Sequence, residues 1–349
     1  MWAHHPGMKT YDVIIAGAGP AGLRCAQVLS ESELSVLLLE KETGPVYKVC
    51  AGGLTRKYLA ILDVPEEVLE HRITSTAICS RLNRSHTEAK SAFIFTLDRK
   101  EFSEYQHRLL ANSHVEVRFD AALTEVSEGH VTVNGTEQVG YRFLVGAEGY
   151  NSKVRKHLGL PVEKRLIGLQ YHVPIDHQPV RLEIHLHSKY FRSWYGWVFP
   201  HRNTVAYGCC ADPKKMSAAR LSAYFHRWLK EQKVDLAGAR YESAPVSYDY
   251  RGMRFGNLFL VGDAGGFASG LTGEGIYQAL VSGEAAARMI IDPDHRSEAL
   301  EGVIRYNEIQ RKIMNLFHYA GPFRNLFHEL LIALMNLPMV KSYIHRSFS

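Results

Sequence analysis

A glycine-rich turn near the N-terminus restricts the possible folds more than any other feature of the sequence. It reads Gly17-Ala18-Gly19-Pro20-Ala21-Gly22 and lies between an apolar segment at residues 11–16 and a predicted helix at residues 20–30. Glycines at this spacing permit a tight turn, close backbone approach to a pyrophosphate, and close packing of the helix on the strand. Because a helix start offers free N–H groups, a dinucleotide phosphate is expected there.

A carboxylate follows at the position where such sites bind a ribose. The second apolar segment, residues 35–39, ends at Glu40, and Lys41 comes next. Two apolar segments joined by a helix predict a parallel sheet. Glu40 can accept hydrogen bonds from ribose hydroxyls, and Lys41 is predicted to contact the same cofactor. The alternative, a glycine turn without a ligand, is disfavoured by the combination of strand, helix and acid.

A second glycine-rich element lies far along the chain. The apolar residues 258–261 lead into Gly262-Asp263, and a glycine-rich loop then precedes a predicted helix at residues 275–291. Asp263 can bond a ribityl hydroxyl. The N–H groups of Gly273, Gly275 and Ile276 can face the flavin edge that gains negative charge on reduction, which a helix dipole would stabilise. The alternative is a loop that only packs, with Asp263 as a helix cap.

The two elements together favour FAD over NAD, because both ends of the chain then hold one dinucleotide. The predicted fold is α/β: a Rossmann-like FAD-binding domain with an inserted β-rich substrate domain and a helical C-terminal tail. We predict an FAD-binding domain at residues 10–73, 98–160 and 250–295, a substrate domain at 74–97 and 161–249, and a helical region at 296–349.

The sequence resembles the large flavoprotein family that includes the aromatic hydroxylases. Asp98-Arg99 before a predicted helix resembles a family element whose arginine sits near the cofactor, which implies that role for Arg99. Leu123 is also predicted to contact the cofactor. The stretch Gly146 to Arg155 resembles the Asp-Gly motif of the family, with Glu148 in place of the aspartate. The longer acid is expected to cap the following helix.

Two further motifs resemble the geranylgeranyl reductase family. They are Tyr47-Lys48-Val49-Cys50-Ala51-Gly52-Gly53 and Tyr195-Gly196-Trp197-Val198-Phe199-Pro200, and the resemblance covers roughly residues 10 to 300. It departs at Gly270, where relatives usually carry proline, and in its short length. The resemblance implies saturation of carbon–carbon double bonds in prenyl chains of lipids, chlorophyll side chains or quinones.

The residue types in these motifs suit such chemistry. Gly52 and Gly53 would let the backbone approach the isoalloxazine, with Cys50 and Ala51 close to the ring. Tyr195 and Trp197 alternate along a predicted strand and can line one wall of a substrate site. We therefore predict Cys50, Tyr195 and Trp197 as catalytic. The alternatives are a small buried cysteine and an ordinary β core.

Substrate contacts are predicted at Tyr47, Tyr195 and Trp197. The proton source is open among Cys50, Tyr47, Tyr195 and a held water. The predicted partners are a prenyl-chain lipid or isoprenoid and an electron donor, either NAD(P)H or a ferredoxin-like protein. The chief rival is an FAD monooxygenase that uses NAD(P)H and oxygen on an aromatic or lipid-like substrate. A noncatalytic flavin- or lipid-binding module is a further alternative.

Composition excludes several other classes. The net charge of +5 comes without a basic block interleaved with aromatics, so nucleic acid is not an expected partner. Five scattered cysteines favour a reducing, cytoplasmic setting. His185 and His187 alternate as on a solvated strand face, and no metal site is expected. Residues 1–10 do not resemble a signal peptide, and no apolar run is long enough to span a membrane.

The C-terminal tail carries apolar residues at roughly helical spacing. Between Phe317 and Leu337, aromatic and leucine side chains recur, with Arg311, Lys312 and Arg324 nearby. An amphipathic helix of this kind can lie on a membrane surface and reach lipid substrates. The alternative is a helix pair that packs on the FAD domain or forms a lid. The tail therefore leaves peripheral membrane contact as an open prediction.

Overall fold

A computed structural model describes residues 8–175 and 181–338 of the chain. Two predictions fall partly outside these ranges: the absence of a signal peptide in residues 1–10, and the helical character of the tail after residue 338. Within the described ranges the strands are Thr10–Ala16 (β1), Val36–Leu39 (β2), Gly53–Thr55 (β3), Leu69–Ile73 (β4), Ser75–Cys79 (β5), Arg84–Glu88 (β6), Ile94–Leu97 (β7), Glu116–Arg118 (β8), Leu123–Ser127 (β9), His130–Val133 (β10), Glu137–Gly146 (β11), Arg165–Pro174 (β12), Leu182–His185 (β13), Gly196–Pro200 (β14), Thr204–Ala211 (β15), Arg240–Ser247 (β16), Arg254–Phe255 (β17) and Leu258–Leu260 (β18).

The helices alternate with these strands at both ends of the chain. In the same ranges they are Pro20–Leu29 (α1), Arg99–Arg108 (α2), Lys153–His157 (α3), Ser188–Phe191 (α4), Ala218–Glu231 (α5), Gly262–Gly265 (α6), Ile276–Ile291 (α7), Glu298–Tyr319 (α8) and Arg324–Met335 (α9). The loop at residues 44–57 leads into a short 3₁₀ turn, Arg56–Ala60.

The first sheet has the parallel core that the sequence predicts. Its order is β17-β18-β11-β1-β2-β8, and β1 runs parallel to both β11 and β2. All four residues of β2 are buried, as expected for a strand covered on both faces. The β9–β10 hairpin extends β11 in antiparallel fashion and was not predicted.

Close helix packing holds the two ends of the chain together. Helix α1 crosses α7 so tightly that a Cβ at Gly283 would lie 2.1 Å from the carbonyl oxygen of Ala21. No side chain larger than a hydrogen fits there. This contact brings the N-terminal glycine turn beside the Gly262-Asp263 element, although the two are far apart in sequence.

The second sheet carries the β-rich insert. Its order is β16-β12-β15-β14-β13-β5-β6, antiparallel except for the β13–β5 pair. Helix α5 packs against it and buries Trp228 completely. A small third sheet pairs β7 with β3 and β4. Strand β7, which the predicted division places in the substrate domain, therefore pairs with two strands placed in the FAD-binding domain.

These features confirm the predicted α/β architecture with a β-rich insert and C-terminal helices. Among the helices in the described ranges, none combines the length and the apolar character needed to span a bilayer.

Candidate functional site

One large cavity, about 2030 Å³ in volume, brings the sequence-predicted residues together. It extends from the glycine turn of α1, past the loop at residues 47–53, to helices α8 and α9. Every predicted catalytic, substrate or cofactor residue lines it except Gly22. A Cβ at Gly22 would lie 2.0 Å from the carbonyl oxygen of Gly17, so this glycine serves the packing of the turn.

The glycine turn leaves room for a ligand at the start of α1. Gly17 adopts a φ of +101°, and a Cβ there would meet the carbonyl oxygen of Ala147 at 2.6 Å. Gly19 differs, because a Cβ at this position would meet nothing within 4 Å. Helix α1 begins at Pro20 without a side-chain cap. Open space beside an uncapped helix start fits an anionic pyrophosphate.

Glu40 lies at the end of β2, where a ribose is expected. The side chain is buried, and its Oε2 accepts a hydrogen bond from the Ala18 N–H at 2.8 Å. Its Oε1 accepts from the Glu42 N–H at 3.1 Å. These bonds fix the carboxylate at the cavity wall. Lys41 also lines the cavity but is largely exposed and paired with Glu42.

Arg99 is the most informative cation of the site. It is 4% exposed, and its Nε has no hydrogen-bond partner within the described residues. A buried guanidinium N–H left unpaired is costly, so a ligand with acceptor oxygens is expected in the adjoining cavity. Asp98 ahead of it caps α2 by accepting from the N–H groups of Lys100 and Glu101. The donor set suits the phosphates or ring carbonyls of FAD.

Asp263 faces the same cavity from the Gly-Asp element. Its Oδ2 lies 2.7 Å from Lys48 Nζ, which belongs to the loop ahead of Cys50. The following helix, α7, begins at Ile276 after Gly275 and has no side-chain cap. Uncapped N–H groups at this helix start suit the electron-rich edge of a reduced flavin. The residues present therefore fit FAD.

The loop around Cys50 is shaped mainly by protein neighbours. A Cβ at Gly52 would lie 2.6 Å from the carbonyl oxygen of Leu97, and Gly52 has a φ of +72°. A Cβ at Gly53 would lie 2.6 Å from the ring of Phe199. This close packing is a different reason for both glycines from the predicted approach of a ring. Cys50 is half-buried and lines the cavity.

Tyr195 and Trp197 form one aromatic wall. Their ring centroids are 6.0 Å apart, although Tyr195 lies just before β14 and not within it. The Tyr195 hydroxyl donates to the carbonyl oxygen of Thr272. Burial raises the pKa of Tyr195 well above its ordinary value. Trp197 Nε1 is buried without a partner in the described part of the chain.

Tyr47 belongs to the segment that leads into Cys50 and also lines the cavity. Its hydroxyl donates to Glu242 Oε2 at 2.8 Å. Burial and this carboxylate raise the pKa of Tyr47. Both tyrosines therefore hold their protons in bonds to protein acceptors.

The far end of the cavity is apolar, and sequence reasoning missed much of it. Alternating residues of β5 and of the β13 region face inward, a period-two pattern that was available in the sequence. Helices α8 and α9 supply the rest. These lining residues are Thr76, Ile78, Leu182, Ile184, Leu186, Leu316, Phe317, Phe327, Leu330, Leu331 and Leu334. Leu330 and Leu334 are about half exposed, so this wall also faces solvent.

Comparison with known proteins decides the family. A family profile described as an FAD binding domain matches residues 10–282. The chain belongs to this FAD-binding family. It is 26% identical over 296 residues to a geranylgeranyl diphosphate reductase of Rhodobacter capsulatus, covering 79% of this chain and 74% of the relative. It is 29% identical over 310 residues to a digeranylgeranylglycerophospholipid reductase of Methanocella arvoryzae, covering 80% and 77%.

A solved structure shares the whole fold. A geranylgeranyl bacteriochlorophyll reductase-like protein of Thermoplasma acidophilum superposes with a TM-score of 0.80 at 20% identity, covering 95% of this chain and 92% of that one. This FAD-binding protein is thus an FAD-dependent oxidoreductase with geranylgeranyl reductase-like homologues.

Glu148 acts in this flavoprotein as the sequence predicts. Its Oε1 accepts from the N–H groups of Lys153 and Val154 at the start of α3, at 2.8 and 3.2 Å. Ser152 donates its hydroxyl to Oε2 at 2.6 Å. Burial raises the pKa of Glu148. The residue that replaces the family aspartate is therefore a helix cap.

The prediction of a solvated strand face at His185 and His187 is wrong for His185. That residue is buried, with its ring 5.1 Å from Trp228 of α5, because the helix covers this face of β13. Its Nε2 lies 2.9 Å from Glu183 Oε2, and Arg84 lies 3.5 Å from the other oxygen. The Glu183 carboxylate is thus paired with side chains of the protein on both of its oxygens. His187 lies beyond the strand and precedes α4.

Proposed function

We propose that this flavoprotein saturates carbon–carbon double bonds of a prenyl chain. The observation that carries the proposal is the cavity, which continues from the cofactor-binding residues along an apolar wall to α9. A cavity of this size with a mainly apolar lining suits an isoprenoid chain. It offers few polar groups for an oxygenated aromatic ring. The names of the two relatives point to the same substrate class.

We propose that FAD is held by residues from both ends of the chain. The set is Gly17, Gly19, Pro20, Ala21, Gly22, Glu40, Lys41, Cys50, Ala51, Gly53, Arg99, Leu123, Gly262, Asp263, Gly273, Gly275 and Ile276. Arg99 and the uncapped starts of α1 and α7 supply N–H groups to its anionic oxygens. The predicted domain limits belong to the same proposal.

Saturation of one double bond takes up a hydride and a proton, and reduced FAD supplies the hydride when bound. An isolated alkene offers no carbonyl for an oxyanion hole, so the protein has to position the chain and exclude water. Tyr195 and Trp197 provide an aromatic wall for that purpose. Tyr47 completes the predicted substrate contacts.

Cys50 is the residue we propose as the proton donor. The hydroxyls of Tyr47 and Tyr195 donate to Glu242 and to Thr272, so their protons are engaged. The Cys50 sulfur instead accepts a contact from the Gly52 N–H at 3.4 Å, which leaves its S–H free to donate into the cavity.

We also propose that the exposed apolar side of α8 and α9 rests on a lipid surface on the cytoplasmic side. Its exposed side chains include Leu316, Tyr319, Phe323, Leu326, Leu330 and Leu334. An apolar patch of this extent is unusual for a freely dissolved protein. Because the same helices line the far end of the cavity, a prenyl tail can enter there. Leu326→Gln with Leu334→Gln should reduce binding to anionic liposomes, and unchanged binding would overturn this part.

One anaerobic assay tests the reaction. FAD-loaded protein reduced by dithionite is offered geranylgeranyl diphosphate, a geranylgeranylated glycerolipid and a menaquinone, and the mass gained per double bond is read. Saturation of any one of them supports the proposal and names the substrate class. No mass gain, together with NAD(P)H-dependent oxygen uptake, would favour a monooxygenase. NAD(P)H and a reduced ferredoxin are then compared as electron donors.

A further inference from the structure

A buried polar network lies behind the Cys50 loop, and the proposed reaction uses none of it. Its members are Gln170 and His172 of β12, Glu242 of β16, His201 after β14, and Glu70 of β4. Gln170 is 2% exposed and His201 6%. Burying such groups is unfavourable unless each is well hydrogen-bonded. Their arrangement therefore calls for an explanation.

Two of these side chains hold the backbone of the loop. Gln170 Nε2 donates to the carbonyl oxygen of Cys50 at 3.0 Å. His201 Nε2 donates to the carbonyl oxygen of Ala51 at 3.1 Å. The carbonyl oxygens of two consecutive loop residues thus accept hydrogen bonds from side chains of the β-rich sheet. The Cys50 side chain itself lines the cavity.

Each of the two side chains that bond the loop also contacts a carboxylate. Glu242 Oε2 accepts from Gln170 Nε2 at 2.9 Å and also from the Tyr47 hydroxyl. Glu70 Oε2 contacts His201 Nδ1. Glu70 belongs to the small third sheet and Glu242 to the second sheet, so side chains of two separate sheets hold the loop.

Each ring nitrogen of His201 faces an oxygen of the protein. Nε2 faces the Ala51 carbonyl oxygen, and Nδ1 faces a carboxylate oxygen of Glu70. Burial opposes ionisation of Glu70, but the hydrogen bonds and electrostatic attraction from His201 and Arg202 together outweigh it and lower the pKa of Glu70. Charge-assisted hydrogen bonds of this kind are stronger than neutral ones.

We propose that His201, with Glu70, and Gln170, with Glu242, are positioning residues that set where the Cys50 thiol points into the cavity. The role of that thiol rests on the proposed function, but its placement does not. Loss of the His201 hydrogen bond should loosen the loop without removing a group from the cavity wall. Gln170 itself lines the cavity, so His201→Ala is the cleaner test.

The accessibility of Cys50 reports the placement directly. The other four cysteines are buried, so iodoacetamide should modify Cys50 first, and peptide mass spectrometry resolves the sites. In FAD-loaded protein, His201→Ala and Gln170→Leu should each raise the alkylation rate of Cys50 about five- to tenfold, the order expected for losing one hydrogen bond to a loop carbonyl. The circular dichroism of the bound flavin should shift in parallel.

Matched control variants distinguish loss of the loop hydrogen bonds from general destabilisation of the fold. His185→Ala removes an equally buried histidine paired with Glu183, and Tyr171→Phe alters the opposite face of β12, where the hydroxyl lies 3.0 Å from His226 Nε2. Both should alkylate at the wild-type rate. His201→Gln keeps a donor for the Ala51 carbonyl and should restore slow alkylation, which also decides the matter if His201→Ala does not fold.

Alkylation and flavin dichroism unchanged in both His201→Ala and Gln170→Leu would overturn the proposal. So would equal acceleration in the His185→Ala control. These readouts need no prenyl substrate, so they stand apart from the alkene assay. If the wild type saturates alkenes, His201→Ala, which leaves the cavity lining intact, should lower kcat with little change in KM.

Discussion

Lys48 Nζ lies 2.7 Å from Asp263 Oδ2, and this ion pair joins the Cys50 loop to the Gly-Asp element. Asp263 is buried, whereas Lys48 is partly exposed. A buried carboxylate needs such a partner. The pair lies on the cavity wall, so a cofactor hydroxyl that bonds Asp263 would meet an already oriented acid.

Asp263→Ala should weaken FAD binding by about tenfold or more, because one hydrogen bond to a charged group is lost. Flavin fluorescence during titration of the FAD-free protein measures the affinity. Glu163→Gln is the control, since that acid pairs with Arg251 outside the cavity. Equal affinities for the wild type and Asp263→Ala would remove Asp263 from the cofactor site.

Gly19 and Gly22 should fail in opposite ways when replaced by alanine. At Gly19 the new methyl meets no protein atom within 4 Å, so the fold should keep its melting temperature while FAD binding is lost. At Gly22 the methyl would lie 2.0 Å from the Gly17 carbonyl oxygen. Overpacking of this kind costs about 1–3 kcal/mol, so Gly22→Ala should melt earlier even without FAD.

Thermal melting and FAD titration on both variants give the comparison. A Gly19→Ala variant that binds FAD like the wild type would show that the open space beside α1 does not receive the pyrophosphate.

Arg99→Met should weaken FAD binding and leave the FAD-free fold at least as stable as the wild type. The substitution removes a buried cation whose Nε has no described partner, so the FAD-free fold should melt at the same temperature or higher. FAD affinity should fall about tenfold or more, since a charged donor is lost. Arg202→Met is the control, because Arg202 pairs with Glu101 of the same helix and is half exposed. Unaltered FAD affinity in Arg99→Met would contradict the assignment.

Cys50→Ala should keep FAD yet slow alkene saturation. General acids contribute roughly 10²- to 10⁴-fold to rate, and the loss should approach that range at saturating substrate. Cys79→Ala, a buried cysteine outside the cavity, is the control. Equal turnover in the wild type and Cys50→Ala would assign the role of proton donor to a bound water instead.

Much of the cofactor end could be predicted because its determinants are local. The spacing of Gly17, Gly19 and Gly22 and the acid at residue 40 each lie within one short stretch, where backbone geometry restricts the residue types. The glycine turn and the Gly262-Asp263 element meet at one cavity because α1 crosses α7 closely, which Gly283 permits. The sequence shows that glycine but not its partner.

The support behind the Cys50 loop could not be predicted in this way. Gln170 lies on the second sheet, His201 directly after a strand of that sheet, and Glu70 on the small third sheet. Each residue alone resembles an ordinary polar side chain of a strand or turn. Their roles appear only when strand pairing brings them to the two loop carbonyls. His185 misled for the same reason, since the covering helix α5 is distant in sequence.

His328 predicts that α9 loosens in mild acid. The side chain is buried, its Nδ1 has no partner in the described chain, and burial lowers its pKa to about 4. The nearby Arg324 lowers the pKa further, while Glu329 opposes, and His187 also faces it. The unfolded value is about 6.5, so between pH 6.5 and 4 the unfolded state binds more protons. Stability at α9 therefore rises with pH across this window and is lost as pH falls.

Hydrogen exchange of α9 peptides at pH 5 and pH 7, corrected for intrinsic rates, measures this effect. Exchange should be faster at pH 5 in the wild type and unchanged in His328→Phe, which keeps the contact with Phe317 and cannot titrate. Burial opposes ionisation of Glu329, but hydrogen bonds from Ser80 and Asn83 hold its pKa below the ordinary value, so it stays charged at pH 5. Peptides from α5 serve as the internal reference. Equal protection of α9 at both pH values in the wild type would contradict the predicted loss of stability at this helix.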